Sequence, residues 1–345
     1  MRLPTPHRSR TSELHGSERV RRSLRTADVI AVNYHVPGKR HLNFGRADDA
    51  LRICVTESPD LRPGVASAQQ LPLPLPGMAG FDGDLGFAHV LADAADDITM
   101  RRFRAMDLHV EAKPDLTPVS DADLAVEESL RNVVGRARPR DAMLGEEFGR
   151  TGSSQRCWVI DPIDGTKNYV RGVPVWATLI GLMDASEVIV GVVSAPALGR
   201  RWWAARDGGA WTGKSMTKAS PCRVSRVSSL SDASLSYSGL DTWEQDGRLN
   251  EFLGLSRKVW RTRAYGDFWS HMLVAEGAVD ISAETDVTLW DLAALQVIVQ
   301  EAGGIFTDLS GTARPDGGSA VCTNGLLHAE VLSLLAAGDG DLPSA

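Results

Sequence analysis

The stretch at residues 157–170 constrains the fold more strongly than any other part of the chain. Its apolar run at residues 158–160 predicts a buried strand that ends at Asp161, and Pro162 excludes a helix there. Asp164 follows on the same turn. Two neighbouring carboxylates repel each other, so keeping both ionised is costly unless a cation lies between them. Oxygen ligands of this kind suit Mg²⁺, Mn²⁺ or Ca²⁺ rather than zinc.

Gly165 and Thr166 come directly after this acidic turn, at a predicted helix start. Free backbone N–H groups at a helix start bind phosphate well, so the sequence predicts a metal and a phosphate in adjacent positions. Taken alone, the Asp-x-x-Asp-Gly pattern favours an ordinary surface turn, because Asp and Gly are common turn residues. The rest of the chain decides between these two interpretations.

The composition indicates a globular protein that is free in solution. The chain has 345 residues, enough for one large domain or two ordinary ones, with 43% apolar and 23% charged residues. Its net charge of −7 argues against a nucleic-acid partner. No apolar run approaches the roughly 18 residues that span a membrane. Cys54, Cys157, Cys222 and Cys322 are far apart, which predicts reduced thiols and a cytoplasmic location, without a zinc site or disulfides.

The chain divides into four parts by composition. Residues 1–82 are rich in arginine and proline and predict a disordered or loosely attached N-terminal extension. Their arginine and serine content also fits an organelle transit peptide, and Met78 fits a later start site. We expect an N-terminal α+β subdomain with the metal and phosphate motifs at residues 83–230. A C-terminal α/β subdomain at 231–338 and a tail at 339–345 follow.

A second acidic pair, Glu146-Glu147, follows a short apolar strand predicted at residues 142–144. Such pairs usually face solvent. If this strand and the strand at 158–160 belong to one sheet, however, the carboxylates of Glu146 and Asp161 converge at its edge. The sequence thus offers a further ligand for the predicted cation.

Three more positions have ordinary local explanations. Ser120 with Asp123 forms a capping-box pattern that opens a helix. Lys113 and Asp121 fit a surface residue and a helix cap. Asp291 stands at the start of an amphipathic helix, where a carboxylate is favourable beside the helix dipole.

Four separated segments together resemble the inositol monophosphatase-like family of metal-dependent phosphatases, over residues 84–337. The resemblance implies an α/β (α+β) fold, a layered αβαβα sandwich of the inositol monophosphatase/fructose-1,6-bisphosphatase type. It also implies an Mg²⁺-dependent phosphomonoesterase with a small phosphorylated substrate, and a homodimer. The motifs that carry it are Gly145-Glu146-Glu147, residues 158–166, Trp290-Asp291 and the upstream segment from Lys113 to Asp121.

The resemblance implies a set of metal ligands. Glu146, Asp161 and the backbone carbonyl of Ile163 would hold a first Mg²⁺. Asp161, Asp164 and Asp291 would hold a second. Two cations neutralise a phosphate monoester, activate a water and stabilise the leaving oxygen, so no cysteine or histidine nucleophile is needed.

The resemblance also implies catalytic and substrate-binding residues. Gly165 and Thr166 would receive the phosphate through their N–H groups. Thr166, with Asp121 behind it and Glu146 nearby, would orient and deprotonate the attacking water. Glu284 matches the position that contacts the part of the substrate beyond the phosphate.

Within the family, the chain most resembles the histidinol-phosphate phosphatases. Lys167 stands where inositol phosphatases commonly have threonine. Histidinol phosphate carries an ammonium and an imidazole, which suit an acidic pocket, and Glu284 and Asp267 are available to pair with the ammonium. Asp267 fits an ordinary helix cap equally well. The segments that carry this finer resemblance are residues 113–121, 145–149, 164–168, 173–179 and 263–269.

Three alternatives to histidinol phosphate hydrolysis stay open from the sequence. The first is an inositol-1-monophosphatase or another small sugar phosphatase of the same fold. The second is hydrolysis of a phosphorylated nucleotide such as 3′-phosphoadenosine 5′-phosphate. The third is a binding protein without catalytic activity, against which the intact acidic positions argue.

Overall fold

A computed structural model describes residues 81–114 and 116–336 of the chain. The predicted N-terminal extension up to residue 80 and the predicted tail therefore lie outside the described residues. Within the described ranges the chain forms eight α-helices and fifteen β-strands. The helices are α1 (Asp82–Arg102), α2 (Asp121–Ala137), α3 (Thr166–Val170), α4 (Asp241–Gln245), α5 (Leu249–Ser256), α6 (Asp267–Ala275), α7 (Leu289–Glu301) and α8 (His328–Ala336).

The strands form one small hairpin and two larger sheets. Their bounds are β1 (Val110–Ala112), β2 (Pro118–Ser120), β3 (Ala142–Gly145), β4 (Gly149–Thr151), β5 (Arg156–Asp164), β6 (Ala177–Asp184), β7 (Glu187–Ala195), β8 (Arg200–Ala205), β9 (Ala210–Ser215), β10 (Lys218–Pro221), β11 (Ser234–Ser236), β12 (Arg261–Arg263), β13 (Ile281–Thr285), β14 (Ile305–Thr307) and β15 (Ser319–Thr323).

The first large sheet has the strand order β10-β9-β8-β7-β6-β5-β3-β4. Strands β3 and β5 run parallel, which confirms that the two predicted acid-bearing strands are neighbours, and the other pairs are antiparallel. The pairing of β5 with β6 is irregular between Asp161 and Asp164, where Pro162 has no N–H to donate. The ladder resumes at Asp164, which pairs with Ala177.

The second large sheet has the order β12-β11-β13-β15-β14. Strand β11 is parallel to both of its neighbours, whereas β15 is antiparallel to β13 and β14. The change from the first sheet to the second falls between β10 and β11. It coincides with the predicted subdomain boundary near residue 230, which stays a prediction.

Alternating side chains bury both faces of the sheets. On β5, Trp158 and Ile160 pack with α1 and α2, whereas Cys157 and Val159 pack in the layer of α6 and α7. On β15, Cys322 faces that same helix layer, whereas Val321 faces the core formed with α4, α5 and α8. The layers thus alternate helix, sheet, helix, sheet, helix, and the predicted αβαβα sandwich is confirmed.

Two glycines let α7 lie directly against the first sheet. A Cβ at Gly191 of β7 would lie 2.5 Å from the carbonyl oxygen of Ala294, and one at Gly181 of β6 would lie 3.0 Å from the Cβ of Ala293. The contact at Gly191 leaves no room for a side chain, and the contact at Gly181 leaves very little, so glycine lets the helix approach at both positions. The close approach places the start of α7, and with it Asp291, near the acidic end of β5.

Helix α1 is shorter than its apolar pattern indicates. The spacing of apolar residues predicts one helix over residues 84–106, but α1 ends at Arg102. Phe103 takes an extended conformation and its ring packs near Tyr169 and Trp176. In the described part of the chain, no helix combines the length and the apolar character needed to cross a bilayer.

Candidate active site

Three carboxylates that are far apart in sequence meet at one point. Oxygens of Asp161 and Asp164 from β5 and of Asp291 from α7 all lie within 4.8 Å of one another. Asp161 is almost fully buried, with 2% of its surface exposed. The fold therefore brings together the three residues that the sequence predicts for the second metal position.

Hydrogen bonds fix two of these carboxylates. The Oδ2 atom of Asp164 accepts a bond from the Phe268 N–H at 2.8 Å, at the start of α6. The Oδ2 atom of Asp291 accepts bonds from the N–H and hydroxyl of Thr288, at 2.7 and 2.9 Å, as the N3 residue of a capping box. The predicted capping role of Asp291 is thus present, and the same carboxylate also faces the acidic cluster.

Asp161, the third carboxylate, indicates that the cluster suits a cation. Among the described residues, the Oδ1 atom of Asp161 is buried and has no hydrogen-bond partner. Burial raises the pKa of Asp161 well above its usual range, and the charges of Glu146, Asp164 and Asp291 raise it further. A divalent cation bound by oxygen ligands would satisfy the unpaired atom and compensate the clustered charge.

Glu146 lies beside this cluster and forms an ion pair. Its N–H donates to the Ile160 carbonyl of the parallel strand at 3.3 Å. Its Oε1 atom lies 2.7 Å from the Lys113 ammonium, which also contacts Glu147 at 2.8 Å. Lys113 is therefore more than a surface residue. The metal-ligand role of Glu146 stays a prediction.

A buried ion pair shapes the turn that carries Glu146. The fully buried Glu127 carboxylate accepts bonds from the backbone N–H groups of Glu147 and Phe148 at 2.7 and 3.1 Å. It also pairs with Arg131 at 2.6 Å. A Cβ at Gly145 would lie 2.1 Å from Glu127 Oε1, so only glycine fits between the strand and this carboxylate.

The residue behind Thr166 is Asp123, and the prediction of Asp121 at that place is wrong. The Thr166 hydroxyl lies 3.5 Å from Asp123 Oδ1 and 2.8 Å from the Ile163 carbonyl oxygen. The carboxylate of Asp121 pairs instead with Arg102 at 2.6 Å. The reason lies in the capping box of α2, because the first helical residue points away while the third turns back over the helix start.

The Ile163 carbonyl that would serve as a metal ligand therefore also accepts the hydroxyl hydrogen bond of Thr166. Gly165 next to it has φ +81°, in the left-handed region. A Cβ there would lie 3.1 Å from both Asp267 Oδ2 and the Val175 carbonyl oxygen. Glycine thus turns the chain from β5 into α3, while phosphate binding by Gly165 and Thr166 stays a prediction.

A cavity of about 560 Å³ opens from the acidic cluster. Asp164 and Asp291 of the cluster line it, together with Lys167, Asp267 and Glu284. Most of its charged groups are acids, so the cavity suits a ligand that carries a cationic group.

Asp267 does not cap its helix, so the capping alternative is wrong. The N-cap of α6 is Gly266, without a side-chain capping bond, and Asp164 takes the N–H of the second helical residue instead. Asp267 Oδ2 accepts a bond from the Asn168 amide at 3.2 Å. Burial raises the pKa of Asp267 to about 7, Glu284 raises it too, and Lys167 opposes the rise.

Glu284 joins the cavity to a buried network that sequence reasoning missed. Its carboxylate accepts bonds from the Ser238 hydroxyl and from His271 Nε2, the latter at 3.0 Å. Ser238 Oγ also accepts the backbone N–H of Asp267 at 2.8 Å, so it links the Glu284 carboxylate to the start of α6. On sequence alone, His271 is one residue of a buried helix face, and no nearby motif indicates its partner.

The fold and the acidic cluster define the class of the protein, and the comparisons agree. The chain belongs to the inositol monophosphatase family, whose family model matches residues 84–338. Proteins of this family depend on metal ions in general.

Two relatives that share one name are similar to this chain over most of its length. The chain is 62% identical to the histidinol-phosphatase of Streptomyces coelicolor over 262 residues, which cover 75% of this chain and 98% of the relative. It is 58% identical to the histidinol-phosphatase of Mycobacterium tuberculosis over 256 residues, covering 74% and 98%.

Solved structures share the architecture at lower identity. The IMPase of Thermotoga maritima superposes with a TM-score of 0.66 at 28% identity, covering 73% of this chain and 96% of that one. The extragenic suppressor protein SuhB of Bartonella henselae superposes with a TM-score of 0.68 at 27% identity, covering 74% and 99%.

Proposed function

We propose that this protein is an Mg²⁺-dependent phosphomonoesterase that hydrolyses L-histidinol phosphate to L-histidinol and phosphate, a reaction of histidine biosynthesis. The observation that carries the proposal is the cluster of Asp161, Asp164 and Asp291 at the end of an acidic cavity. The two histidinol-phosphatase relatives at 58–62% identity support the choice of substrate.

The metal ions would be held by acidic side chains and one carbonyl. Asp161, Asp164 and Asp291, together with Glu146 and the carbonyl of Ile163, would supply the ligands. A bound divalent ion lowers the pKa of a water ligand and neutralises charge on the phosphate and on the leaving oxygen. Magnesium fits this donor set because it prefers oxygen ligands.

The protein's own hydroxyl and amide groups would orient the reactants. The Thr166 hydroxyl donates to the Ile163 carbonyl at 2.8 Å, with Asp123 Oδ1 at 3.5 Å beside it, so its oxygen lone pairs remain available to a proton of the attacking water. The N–H groups of Gly165 and Thr166 would hold phosphate oxygens in place. Glu146 would assist in removing the proton from the water. Such positioning supplies much of the acceleration in phosphoryl transfer.

The acids of the cavity would select the substrate. Glu284 and Asp267 line the same cavity as the acidic cluster, and the ammonium of histidinol phosphate would pair with them there. A neutral sugar phosphate offers no such charge. An inositol phosphatase is the second candidate, because solved relatives such as the IMPase of Thermotoga maritima share the fold.

The remaining parts of the proposal concern assembly and location. We place the enzyme in the cytoplasm as a homodimer, without a nucleic-acid or membrane partner. The net charge of −7 disfavours binding to nucleic acid, and the separated cysteines suit a reducing compartment.

A phosphate-release panel tests the choice of substrate. It compares histidinol phosphate, inositol 1-phosphate, fructose 1,6-bisphosphate and 3′-phosphoadenosine 5′-phosphate at equal Mg²⁺. We expect the highest kcat/KM for histidinol phosphate. A higher value for inositol 1-phosphate would favour the second candidate, and no release from any of the four compounds would favour a binding protein.

A further inference from the structure

The carboxylate of Glu284 is held from behind by a buried histidine. Glu284 lies on β13 with 6% of its surface exposed, and it lines the cavity. His271 lies on α6 and is fully buried. Its Nε2 atom contacts Glu284 Oε2 at 3.0 Å, and its Nδ1 atom contacts the thiol of Cys322 on β15 at 3.0 Å.

Both nitrogens of His271 therefore have partners, as a buried imidazole requires. Burial lowers the pKa of His271, but Cys322 and Glu284 outweigh this effect and raise the pKa well above its usual value. Burial also raises the pKa of the Cys322 thiol, and His271 opposes this rise. Of the two partners of His271, Glu284 is the one that lines the cavity.

Two donors fix the two oxygens of Glu284 separately. The Ser238 hydroxyl binds Oε1 and His271 binds Oε2, so rotation of the carboxylate would break both bonds. Without the His271 donor, Oε2 of Glu284 would lose its hydrogen-bond partner and the carboxylate would be free to turn. An ammonium in the cavity would then meet a misoriented acid.

The position of the histidine gives it a functional rather than a packing role. An apolar side chain would fill a fully buried helix position without the cost of desolvating two nitrogens. Here the polar ring spans from the thiol on β15 to an acid of the cavity on β13. Through these two contacts the ring fixes the Glu284 carboxylate relative to α6 and β15.

We propose that His271 is a positioning residue for substrate recognition, which holds the Glu284 carboxylate in one orientation towards the cationic part of the substrate. This inference rests on the proposed hydrolysis of histidinol phosphate. It assigns to His271 an effect on substrate discrimination and leaves the metal-assisted step unchanged.

Two substitutions of the same residue separate this role from packing. In His271→Gln the amide nitrogen can take the place of Nε2 and still donate to Glu284. In His271→Asn the amide nitrogen takes the place of Nδ1, next to Cys322, and no atom reaches Glu284. Steady-state kinetics of both variants are measured on histidinol phosphate and on inositol 1-phosphate with saturating Mg²⁺.

For His271→Asn we expect KM for histidinol phosphate to rise roughly tenfold or more, as for loss of a hydrogen bond to a charged group. Its kcat, and both constants for inositol 1-phosphate, should stay within about twofold, and His271→Gln should lie closer to the wild type. Equal losses in both variants, or equal losses on both substrates, would overturn the inference. A wild-type enzyme inactive on histidinol phosphate would overturn the proposed function and the inference with it.

A spectroscopic measurement keeps the inference testable if the His271 variants do not fold. Imidazole NMR signals of the whole enzyme are followed against pH in the wild type and in Glu284→Gln. We expect the pKa of His271 to fall when Glu284 loses its charge. An unchanged His271 titration would show that the two residues do not act as a pair, and would overturn the inference.

Discussion

The Oδ2 atom of Asp164 accepts a hydrogen bond from the backbone N–H of Phe268, which lies 104 residues further along the chain, at 2.8 Å. Asp164 belongs to the acidic cluster, and Phe268 follows Asp267 at the start of α6. One bond thus joins the proposed metal site to the helix that carries Asp267 and His271. Metal binding and the shape of the substrate cavity are therefore expected to depend on each other.

The partner of Thr166 gives the first prediction. Asp123→Asn should lower kcat for histidinol phosphate by about 10²–10⁴-fold with little change in KM, because it weakens the group that orients Thr166. Asp121→Asn is the matched control on the same helix, and should have a much smaller effect, since Asp121 pairs with Arg102. A larger loss in the Asp121 variant would contradict the assignment.

Glu284, one of the acids that line the cavity, gives the second prediction. Glu284→Gln should raise KM for histidinol phosphate by roughly tenfold or more, because the ammonium loses a charged partner. KM for inositol 1-phosphate should change far less, so the neutral substrate serves as the internal control. Steady-state kinetics on both substrates check this, and equal losses would count against a contact between Glu284 and the ammonium.

The turn that carries Glu146 gives the third prediction. Gly145→Ala should destabilise the protein by about 1–3 kcal/mol and reduce activity, because the added Cβ would overlap the buried Glu127 carboxylate. Gly135→Ala is the control. No atom lies within 4 Å of its added Cβ, and alanine in a helix should stabilise by about 0.5–1 kcal/mol. Chemical denaturation compares the two, and similar effects would contradict the steric explanation.

The pH dependence of stability gives the fourth prediction. In the metal-free protein, burial raises the pKa of Asp291 to about 6 and the pKa of Asp267 to about 7. The folded state therefore binds more protons than the unfolded state between about pH 4 and pH 7, so stability should fall as pH rises through that window. Added Mg²⁺ should restore most stability at the upper end, where the carboxylates are ionised.

Thermal denaturation checks directly whether the stability of the metal-free protein falls as pH rises. The metal-free Tm should be lower at about pH 7.5 than at about pH 5, and the Tm increase with Mg²⁺ should be larger at the higher pH. Asp291→Asn removes one of the raised carboxylates and should flatten both trends. A metal-free Tm that rises across the window would contradict the account.

Much of the site could be predicted because its motifs are local. A short apolar run, a proline and two acids are enough to place Asp161 and Asp164 at the end of a strand. A capping pattern is enough to place Asp291 at a helix start. That these distant segments come together is predicted only from the family resemblance. The αβαβα layers and the acidic cluster agree with that prediction.

Other parts of the site depend on contacts between distant segments. The capping box predicts only that Asp123 turns back over the start of α2; the positions of Thr166 beside Asp123 and of Arg102 beside Asp121 depend on how other elements pack there. The role of His271 arises only when α6 packs against β13 and β15. Neither the spacing of residues nor their type predicts these partners, because the packing of whole elements selects them.

The most direct test of the central claim, that the acidic cluster serves a metal-dependent hydrolysis, is a metal titration. Phosphate release from histidinol phosphate is measured as Mg²⁺ is added to the chelator-treated enzyme, for the wild type and for Asp161→Asn. The account predicts no release without metal, a saturable rise in the wild type and a loss of about 10³-fold or more in the variant. Equal release by the metal-free enzyme, or an unimpaired Asp161→Asn variant, would contradict it.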